Sequence, residues 1–245
     1  MNRPEIHNAF DEKLIEDLTR TLVILKDNVA IRVIVLSGRG RSFSSGADVD
    51  WMRRQGSASI EKNISDARKL ATLLQTISEY PKPTIARVHG AAIGGGLGLV
   101  AACDIAIGAS TASFATSEVR LGLIPATIAP YVIRAIGERQ ARCLFQTGER
   151  IDAATALRVG LLHAISSPEE LDERVLATAN DVLLGAPQAQ ESAKDLIRAV
   201  GNKPIDPGLI EETVQRIALC RASVEAIEGV SSFIEKRTPS WVSRR

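Results

Sequence analysis

The stretch Ile93-Gly94-Gly95-Gly96-Leu97-Gly98-Leu99 contains three adjacent glycines that the needs of a helix or a strand do not explain. Glycine weakens the interior of either element and is kept where the backbone approaches something closely. The run follows a strand-like segment at residues 84–88 and precedes small, helix-compatible residues. Its N–H groups are therefore expected at a helix N-terminus, where they can bind an anionic oxygen. A tight turn with close helix packing and no ligand is an equally good explanation.

The composition is that of a globular protein with one sizeable core. The chain has 245 residues, of which 45% are hydrophobic and 24% charged, and its formal net charge is +1. So small a charge gives no long-range field that would attract nucleic acid or an anionic membrane. Three widely spaced cysteines, Cys103, Cys143 and Cys220, disfavour a disulfide framework and a zinc site. Without the pattern of a signal peptide, we expect a cytoplasmic protein.

The predicted elements alternate as in an α/β protein. Apolar residues at helical spacing from Phe10 to Leu25 predict a first helix, which Asn8 would cap. A β-branched run at 33–36 predicts a buried strand, and residues 84–88 predict another. Helices are predicted at 60–77 and 127–146, and brief strands at 105–107 and 113–115. This order predicts an α/β core.

Only helices are predicted after Gly185, at residues 189–200, 209–219 and 224–233. These helices have no strand partners. We therefore divide the chain into a core at residues 1–184, which would hold the functional site, and a C-terminal helical region at residues 185–245. The helical region is expected to pack on the core or on a neighbouring subunit.

Glu118 is a candidate for proton transfer. It lies among apolar and small residues in the segment 113–125. Such surroundings disfavour the charged form of a carboxyl group and raise its pKa, which suits acid/base work near neutral pH. The alternative from sequence alone is a surface acid paired with Arg120, because most glutamates are solvated.

Two loops are expected to offer backbone donors at the same end of the sheet. Residues 44–48, Ser-Ser-Gly-Ala-Asp, follow one predicted strand, and the glycine run follows another. Two N–H groups that converge on one carbonyl oxygen form an oxyanion hole.

Six motifs, taken together, resemble the enoyl-CoA hydratase/isomerase (crotonase) family. They lie in the family's order at residues 2–10, 43–48, 90–104, 117–125, 147–151 and 228–237. The resemblance implies a crotonase-like α/β spiral of repeated ββα units with a C-terminal helical trimerisation region. It also implies an acyl-CoA substrate and a homotrimer or dimer of trimers. Coenzyme A would be part of the substrate, so no separate cofactor is expected.

The resemblance assigns roles to individual residues. The N–H groups of Ala47 and Gly95 match the positions that hold the thioester oxygen, and Glu118 matches the acid/base. The residues whose backbone would line the coenzyme A path are Ala9, Ser45, Asp48 and Val49. Phe233 and Lys236 match places where the C-terminal helix, often of a neighbouring subunit, reaches the adenine and phosphate. A core aromatic and a solvated lysine are the alternatives.

One position departs from the family's hydratase pattern. Hydratases of the family typically carry a first glutamate in the helix after the glycines, where this chain has Gly98. A single carboxylate must both position a water and move its protons, or perform a simpler proton shuttle. We expect a hydratase with Glu118 as its single acid/base. A 3-enoyl-CoA double-bond isomerase and a non-catalytic CoA-binding scaffold are the alternatives.

The sequence around Gly98 resembles the bacterial methylglutaconyl-CoA hydratase branch of leucine breakdown, which also has glycine there. A small residue at this position is expected to leave room for a bulkier or carboxylate-bearing acyl chain. At the other end of the chain, family members have further residues before Asn2 that form a first strand. Either the start lies upstream of Met1 or the fold lacks one edge strand. No serine or cysteine nucleophile, nucleotide-binding or metal-ligand motif is recognised, so no metal is expected.

Overall fold

The computed structural model describes residues 1–242, which contain ten α-helices and seven β-strands. The helices are α1 (Glu12–Lys26), α2 (Val49–Gly56), α3 (Ile60–Ser78), α4 (Gly95–Ala102), α5 (Ala129–Thr147), α6 (Ala153–Arg158), α7 (Leu171–Leu183), α8 (Pro187–Val200), α9 (Pro207–Arg221) and α10 (Val224–Ile234). The strands are β1 (Ile34–Ser37), β2 (Thr84–Val88), β3 (Ala91–Ile93), β4 (Ile105–Ala109), β5 (Ser113–Ala115), β6 (Arg150–Asp152) and β7 (Ala164–Ser166).

Two sheets organise the core. The first has four parallel strands in the order β1-β2-β4-β7, and the second has the order β3-β5-β6. Each turn of the chain adds a strand to the first sheet, then a short strand to the second, then a helix, as in β2-β3-α4 and β4-β5-α5. The segment after β1 follows the same course, because Ser44 forms a parallel bridge with Ala92 of β3. The fold is therefore a spiral of repeated ββα units.

Both faces of the four-stranded sheet are covered. Ile85 of β2 and Ile107 of β4 pack in one cluster with Leu171 of α7. Ala86 and Val88 belong instead to the larger cluster formed with α1, α3, α4 and α5. Alternate residues of β2 point to opposite faces of the sheet, as the pleat requires. The ends of these buried strands carry the loops that form the candidate site.

The segment before α1 differs from the sequence prediction. Asp11, not Asn8, is the N-cap, and its side chain accepts a hydrogen bond from the N–H of Leu14 at 2.8 Å. Asn8 is fully buried with a φ of 53°. Its amide donates to the carbonyls of Arg39 and Ser42, both at 2.8 Å. The prediction of Asn8 as a cap is wrong because its side chain ties the N-terminal segment to the loop after β1.

The strand β1 lies at the edge of the four-stranded sheet. Met1 pairs with the end of this edge: its amino group donates to the carbonyl of Ser37 at 2.7 Å, and its carbonyl accepts from the N–H of Arg39 at 3.0 Å.

Helices α8, α9 and α10 follow the last strand and helix of the core. Within residues 1–242, α8 and α9 have no buried side chain. Lys194 of α8 binds Asp104, at the end of α4, with a distance of 2.8 Å between Nζ and Oδ2. The last three residues of the expected helical region, 243–245, lie outside the described residues. None of the helices in residues 1–242 is both long enough and apolar enough to span a membrane.

Candidate active site

A cavity of about 250 Å³ lies between α2, α3 and the segment 117–128. Its walls are mainly apolar. Ala47, Gly95 and Glu118 all line it. The structure thus brings together the three residues that the sequence predicted to carry the chemistry.

The N–H of Ala47 is freed by the way its neighbours pair. Phe10 donates to the carbonyl of Gly46 at 2.7 Å and accepts from the N–H of Asp48 at 2.8 Å. In such a parallel bridge the polar groups of the residue between the two bonds point away from the partner strand. Accordingly, the N–H of Ala47 has no acceptor among the residues that the structure describes.

The N–H of Gly95 has no acceptor within residues 1–242, because Gly95 is the first residue of α4 and the first N–H groups of a helix have no intrahelical partner. Gly94 precedes it with a φ of 51° and donates to the carbonyl of Ala115 at 2.9 Å. A Cβ at Gly95 would lie 2.6 Å from the ring of Phe10. Glycine is therefore needed at position 95 for close packing, whereas at position 94 the positive φ of the turn favours it.

Parallel pairing brings the two N–H groups to the same end of the second sheet. Ser44 pairs with Ala92, and the carbonyl of Ser44 accepts from the N–H of Ile93 at 3.0 Å. Ala47 and Gly95 each lie three residues beyond this pair. Paired parallel strands advance equally, so both residues emerge at one edge and face the same cavity.

The carboxyl group of Glu118 stands against the glycine run. Glu118 lies on a short 3-10 turn, Ser117–Leu121, directly after β5. A Cβ at Gly94 would lie 2.9 Å from Oε1 of Glu118. Its other oxygen, Oε2, is buried without a hydrogen-bond partner among the described residues. Burial raises the pKa of this carboxyl above its ordinary value of 4.5.

Arg120 does not neutralise this carboxyl group. Its side chain points toward the end of α5, where Nε donates to the carbonyl of Thr147 at 3.2 Å. The alternative interpretation of Glu118 as a surface acid paired with Arg120 is therefore wrong. A half-buried carboxyl group that shares a cavity with two N–H donors, both unpaired among the described residues, can exchange a proton with a molecule whose oxygen those donors hold.

Residues 1–244 match the family model for enoyl-CoA hydratase/isomerase. The chain belongs to this family. A crystal structure of an enoyl-CoA hydratase from Shewanella pealeana has a TM-score of 0.95 and 43% identity, covering 98% of this chain and 89% of that one. A crotonase-family structure from Legionella pneumophila has a TM-score of 0.93 and 45% identity, covering 98% and 93%. The 2,3-dehydroadipyl-CoA hydratase of Escherichia coli is 31% identical, covering 100% of this chain and 94% of its own.

These comparisons confirm the family and the crotonase fold that the six motifs indicated. They also confirm the enzyme class, because many relatives are named as enoyl-CoA hydratases, which are lyases.

The space beside Gly98 is not open. A Cβ at Gly98 would lie 2.2 Å from Cγ2 of Ile128, a separation at which atoms overlap. Ile128 precedes α5 and is 1% exposed. The expectation that a small residue leaves room for a bulkier acyl chain is wrong, because the side chain of Ile128 fills that room.

The residues expected along the coenzyme A path are spread over the region around the cavity. Ser45 is exposed and lines the cavity. Val49 is 65% exposed and begins α2. Asp48 caps α2, accepting from the N–H of Trp51 at 3.1 Å. Ala9 is buried. Neither Ala9, Asp48 nor Val49 lines the cavity itself within the described chain.

Phe233 and Lys236 lie at the end of α10 and do not line the cavity of residues 1–242. Phe233 is 85% exposed, so its interpretation as a core aromatic is wrong. Lys236 is also exposed. An exposed aromatic ring next to an exposed cation is available to a partner outside this chain.

Sequence reasoning missed several residues of the cavity wall. Phe10 was assigned to the apolar face of α1, but it precedes that helix and packs on Gly95. Trp51 belongs to α2, a helix too short to be recognised from its periodicity. The sequence does contain a signal for the start of α2, because Asp48 is a good N-cap residue and lies three residues before Trp51. Within residues 1–242, no three His, Cys, Asp or Glu side chains are placed to hold a metal ion.

Proposed function

We propose that this protein adds water to an α,β-unsaturated acyl-CoA thioester. One observation carries the proposal: Glu118, whose Oε2 is buried without a hydrogen-bond partner among the described residues, lines the same cavity as Ala47 and Gly95, whose N–H groups have no acceptor among those residues. The names of the relatives, including a crotonyl-CoA hydratase from Syntrophomonas wolfei, support the same reaction.

The two N–H groups act as the oxyanion hole. When the thioester oxygen accepts from both Ala47 and Gly95, addition at C3 pushes the electron pair of the double bond toward that oxygen. The negative charge develops in the transition state, and the two donors stabilise it there more than in the bound substrate. Their contribution therefore lowers the barrier rather than merely tightening binding.

Glu118 supplies both proton transfers. As a carboxylate it takes a proton from water, whose oxygen bonds to C3. As a carboxylic acid it then returns that proton to C2 of the enolate, which completes the addition of one water. Burial raises the pKa of Glu118 and so brings it closer to neutral pH. Acid/base catalysis needs both the carboxylate and the carboxylic acid form to be accessible at that pH.

The cavity lining favours an uncharged acyl chain. Glu118 is the sole charged residue among the described residues that line the cavity. A carboxylate on the acyl chain would meet no cation among the described residues that line the cavity, and it would face the charge of Glu118. Methylglutaconyl-CoA, which the sequence resemblance suggests, is therefore the second candidate substrate after a simple enoyl-CoA.

Isomerisation of a 3-enoyl-CoA is the alternative activity. One observation favours it: a single carboxyl group lines the described cavity. Moving a proton between C2 and C4 of an allylic system needs one base and no positioned water. The same oxyanion hole would stabilise the dienolate.

The coenzyme A part of the substrate is proposed to leave the cavity past Ser45. Phe233 and Lys236 are exposed and do not line the described cavity of their own chain. We propose that they complete the coenzyme A site of a neighbouring subunit in a homotrimer or a dimer of trimers. Residues 1–184 would then form the catalytic core, and the helices that begin after Gly185 would build the assembly.

The test follows the absorbance of the conjugated enoyl thioester with crotonyl-CoA and with 3-methylglutaconyl-CoA. We expect its loss with the protein as it stands and a rate lower by about 10²- to 10⁴-fold in Glu118→Gln. Glu169→Gln, at an exposed turn, is the matched control and should keep the rate. A protein that binds crotonyl-CoA but consumes neither thioester would refute hydration, and a 3-enoyl-CoA would then be tested.

A further inference from the structure

Gly98 and Ile128 form a closely fitted pair next to the cavity: Ile128 lines it, and Gly98 contacts Ile128 without lining the cavity itself. Gly98 lies three residues after Gly95 on α4, and hence one turn along the same face of that helix. A Cβ at Gly98 would lie 2.2 Å from Cγ2 and 2.8 Å from Cβ of Ile128. No side chain at position 98 can coexist with Ile128 in its present place.

The side chain of Ile128 is tightly packed against the backbone of α4 at Gly98. Its side chain is 1% exposed, yet the residue lines the cavity. Leu74 of α3 lies close to the same point, with Cδ2 3.6 Å from the position of the missing Cβ. A β-branched side chain packed among a helix backbone and a buried leucine has little freedom to move aside for a ligand.

We propose that Ile128, seated against Gly98, closes the acyl pocket and sets the longest acyl chain that the protein accepts. The proposal rests on the proposed function, which places the thioester oxygen at the N–H of Gly95. Gly98 lies about 4.5 Å further along α4, three residues at 1.5 Å each. Only a few carbons of the acyl chain fit within this length before they meet Ile128. The substrate class is thus a short-chain acyl-CoA.

Substitutions of Ile128 and of Gly98 are expected to change the depth of the pocket in opposite directions. Ile128→Ala removes three carbons from the end of the pocket and makes it deeper. Gly98→Ala places a methyl group where Cγ2 of Ile128 now lies, which drives that side chain toward the ligand and makes the pocket shallower. Ile136→Ala is the matched control, because Ile136 is a buried isoleucine of α5 that does not line the cavity.

The experiment measures dissociation constants of saturated acyl-CoAs, from acetyl-CoA to decanoyl-CoA, by calorimetry. These ligands cannot react, so the readout does not depend on turnover. Each added CH₂ should strengthen binding about fourfold until the pocket is full. We expect this limit to move by one or two carbons to longer chains in Ile128→Ala, to shorter chains in Gly98→Ala, and not at all in Ile136→Ala.

A limit that stays in place in Ile128→Ala, or a loss of affinity equal for all chain lengths, would overturn the proposal while leaving the proposed function intact. If the unmodified protein binds no acyl-CoA of any length, the proposed function itself fails. Should Gly98→Ala not fold, the Ile128→Ala series decides the question alone.

Discussion

The buried carboxyl group of Glu118 lowers the free energy of unfolding when it is charged. Its Oε2 is buried without a partner among the described residues, and burial raises the pKa of the group above 4.5. Between the ordinary and the raised pKa, the native state binds more protons than the unfolded state. The free energy of unfolding therefore falls as the pH rises through this range, and stays lower above it.

Glu118→Gln is accordingly expected to be more stable than the unmodified protein at pH 8, by about 2 °C in Tm, because the amide carries no charge to desolvate. The difference should shrink below pH 4.5, where both proteins have a neutral side chain at this position. Thermal unfolding followed by circular dichroism at a series of pH values measures it. A difference that is independent of pH would contradict this account, and Glu169→Gln should show none.

Gly94 places the carboxyl group of Glu118. A Cβ at Gly94 would lie 2.9 Å from Oε1, so Gly94→Ala should displace the carboxyl group and lower kcat at least tenfold. Gly137→Ala is the matched control, because Gly137 also has a positive φ, of 74°, but its Cβ would meet nothing within 4 Å. Gly94 (φ 51°, ψ −118°) and Gly137 (φ 74°, ψ 159°) both occupy backbone regions that favour glycine, so both variants carry backbone strain of about 1–3 kcal/mol. Steady-state kinetics should show the loss in Gly94→Ala alone; equal losses would indicate strain as the cause.

For individual residues, the sequence predicted which of them lie together better than how the cavity walls pack. The resemblance to the family selected Ala47 and Gly95, the apolar surroundings of Glu118 also drew attention to that acid, and the structure places all three on one cavity. The contact of Ile128 with Gly98 could not be predicted, because the two residues are thirty positions apart and meet only through the packing of α4 against the segment before α5. Residue types alone do not specify such a contact.

Among the elements, the loop after β1 is held in its conformation mainly by hydrogen bonds with Asn8, which lies outside the loop. The buried amide of Asn8 donates to the carbonyls of Arg39 and Ser42 on that loop. Ser44 Oγ donates in return to the carbonyl of Asn8 at 2.9 Å. These bonds fix the register in which Ala47 faces the cavity.

Asn8→Ala should therefore lower the free energy of unfolding by about 2 kcal/mol, because two carbonyls lose their donor and alanine disfavours the φ of 53°. It should also lower kcat, since the N–H of Ala47 is no longer held. Urea unfolding and kinetics measure the two effects. Asn2→Ala, at an exposed position whose side chain makes no hydrogen bond within residues 1–242, should change stability by less than about 0.5 kcal/mol; a similarly small change in Asn8→Ala would contradict the proposed tie.

Long amphipathic elements were predictable, and short ones only in part: the brief strand predicted at 113–115 coincides with β5, whereas β3, β6 and β7 were not predicted. The predicted helix at 60–77 and strand at 84–88 agree with α3 and β2 to within a residue. The strands β3 and β6 have three residues each, too few to show a period, and they exist because neighbouring strands pair with them. The N-cap of α1 was misplaced because Asn8 and Asp11 are both good caps, and only the tertiary bonds of Asn8 decide between them.

The whole molecule leaves an apolar surface uncovered on its C-terminal helices. Ile210, Val214 and Ile217 recur at helical spacing along α9 and are each about half exposed. Phe233 and Val230 add to this surface on α10. Exposed apolar stripes of this kind typically mark an interface with another protein. A second and third copy of this chain are the partners we propose, in line with the resemblance to trimeric enzymes.

Light scattering should accordingly give a mass of three times 26.3 kDa, or twice that trimer. Val214→Glu places a charge in the middle of the apolar stripe on α9 and should yield a monomer, whereas Val29→Glu, at a position that is 91% exposed in a turn, should not.

If Phe233 and Lys236 of one subunit complete the coenzyme A site of another, the monomeric variant should also bind coenzyme A esters at least tenfold more weakly. Its cavity, with Glu118, Ala47 and Gly95, is untouched by the change. A monomer that binds acyl-CoA as tightly as the assembled protein would show that each chain holds the whole substrate alone.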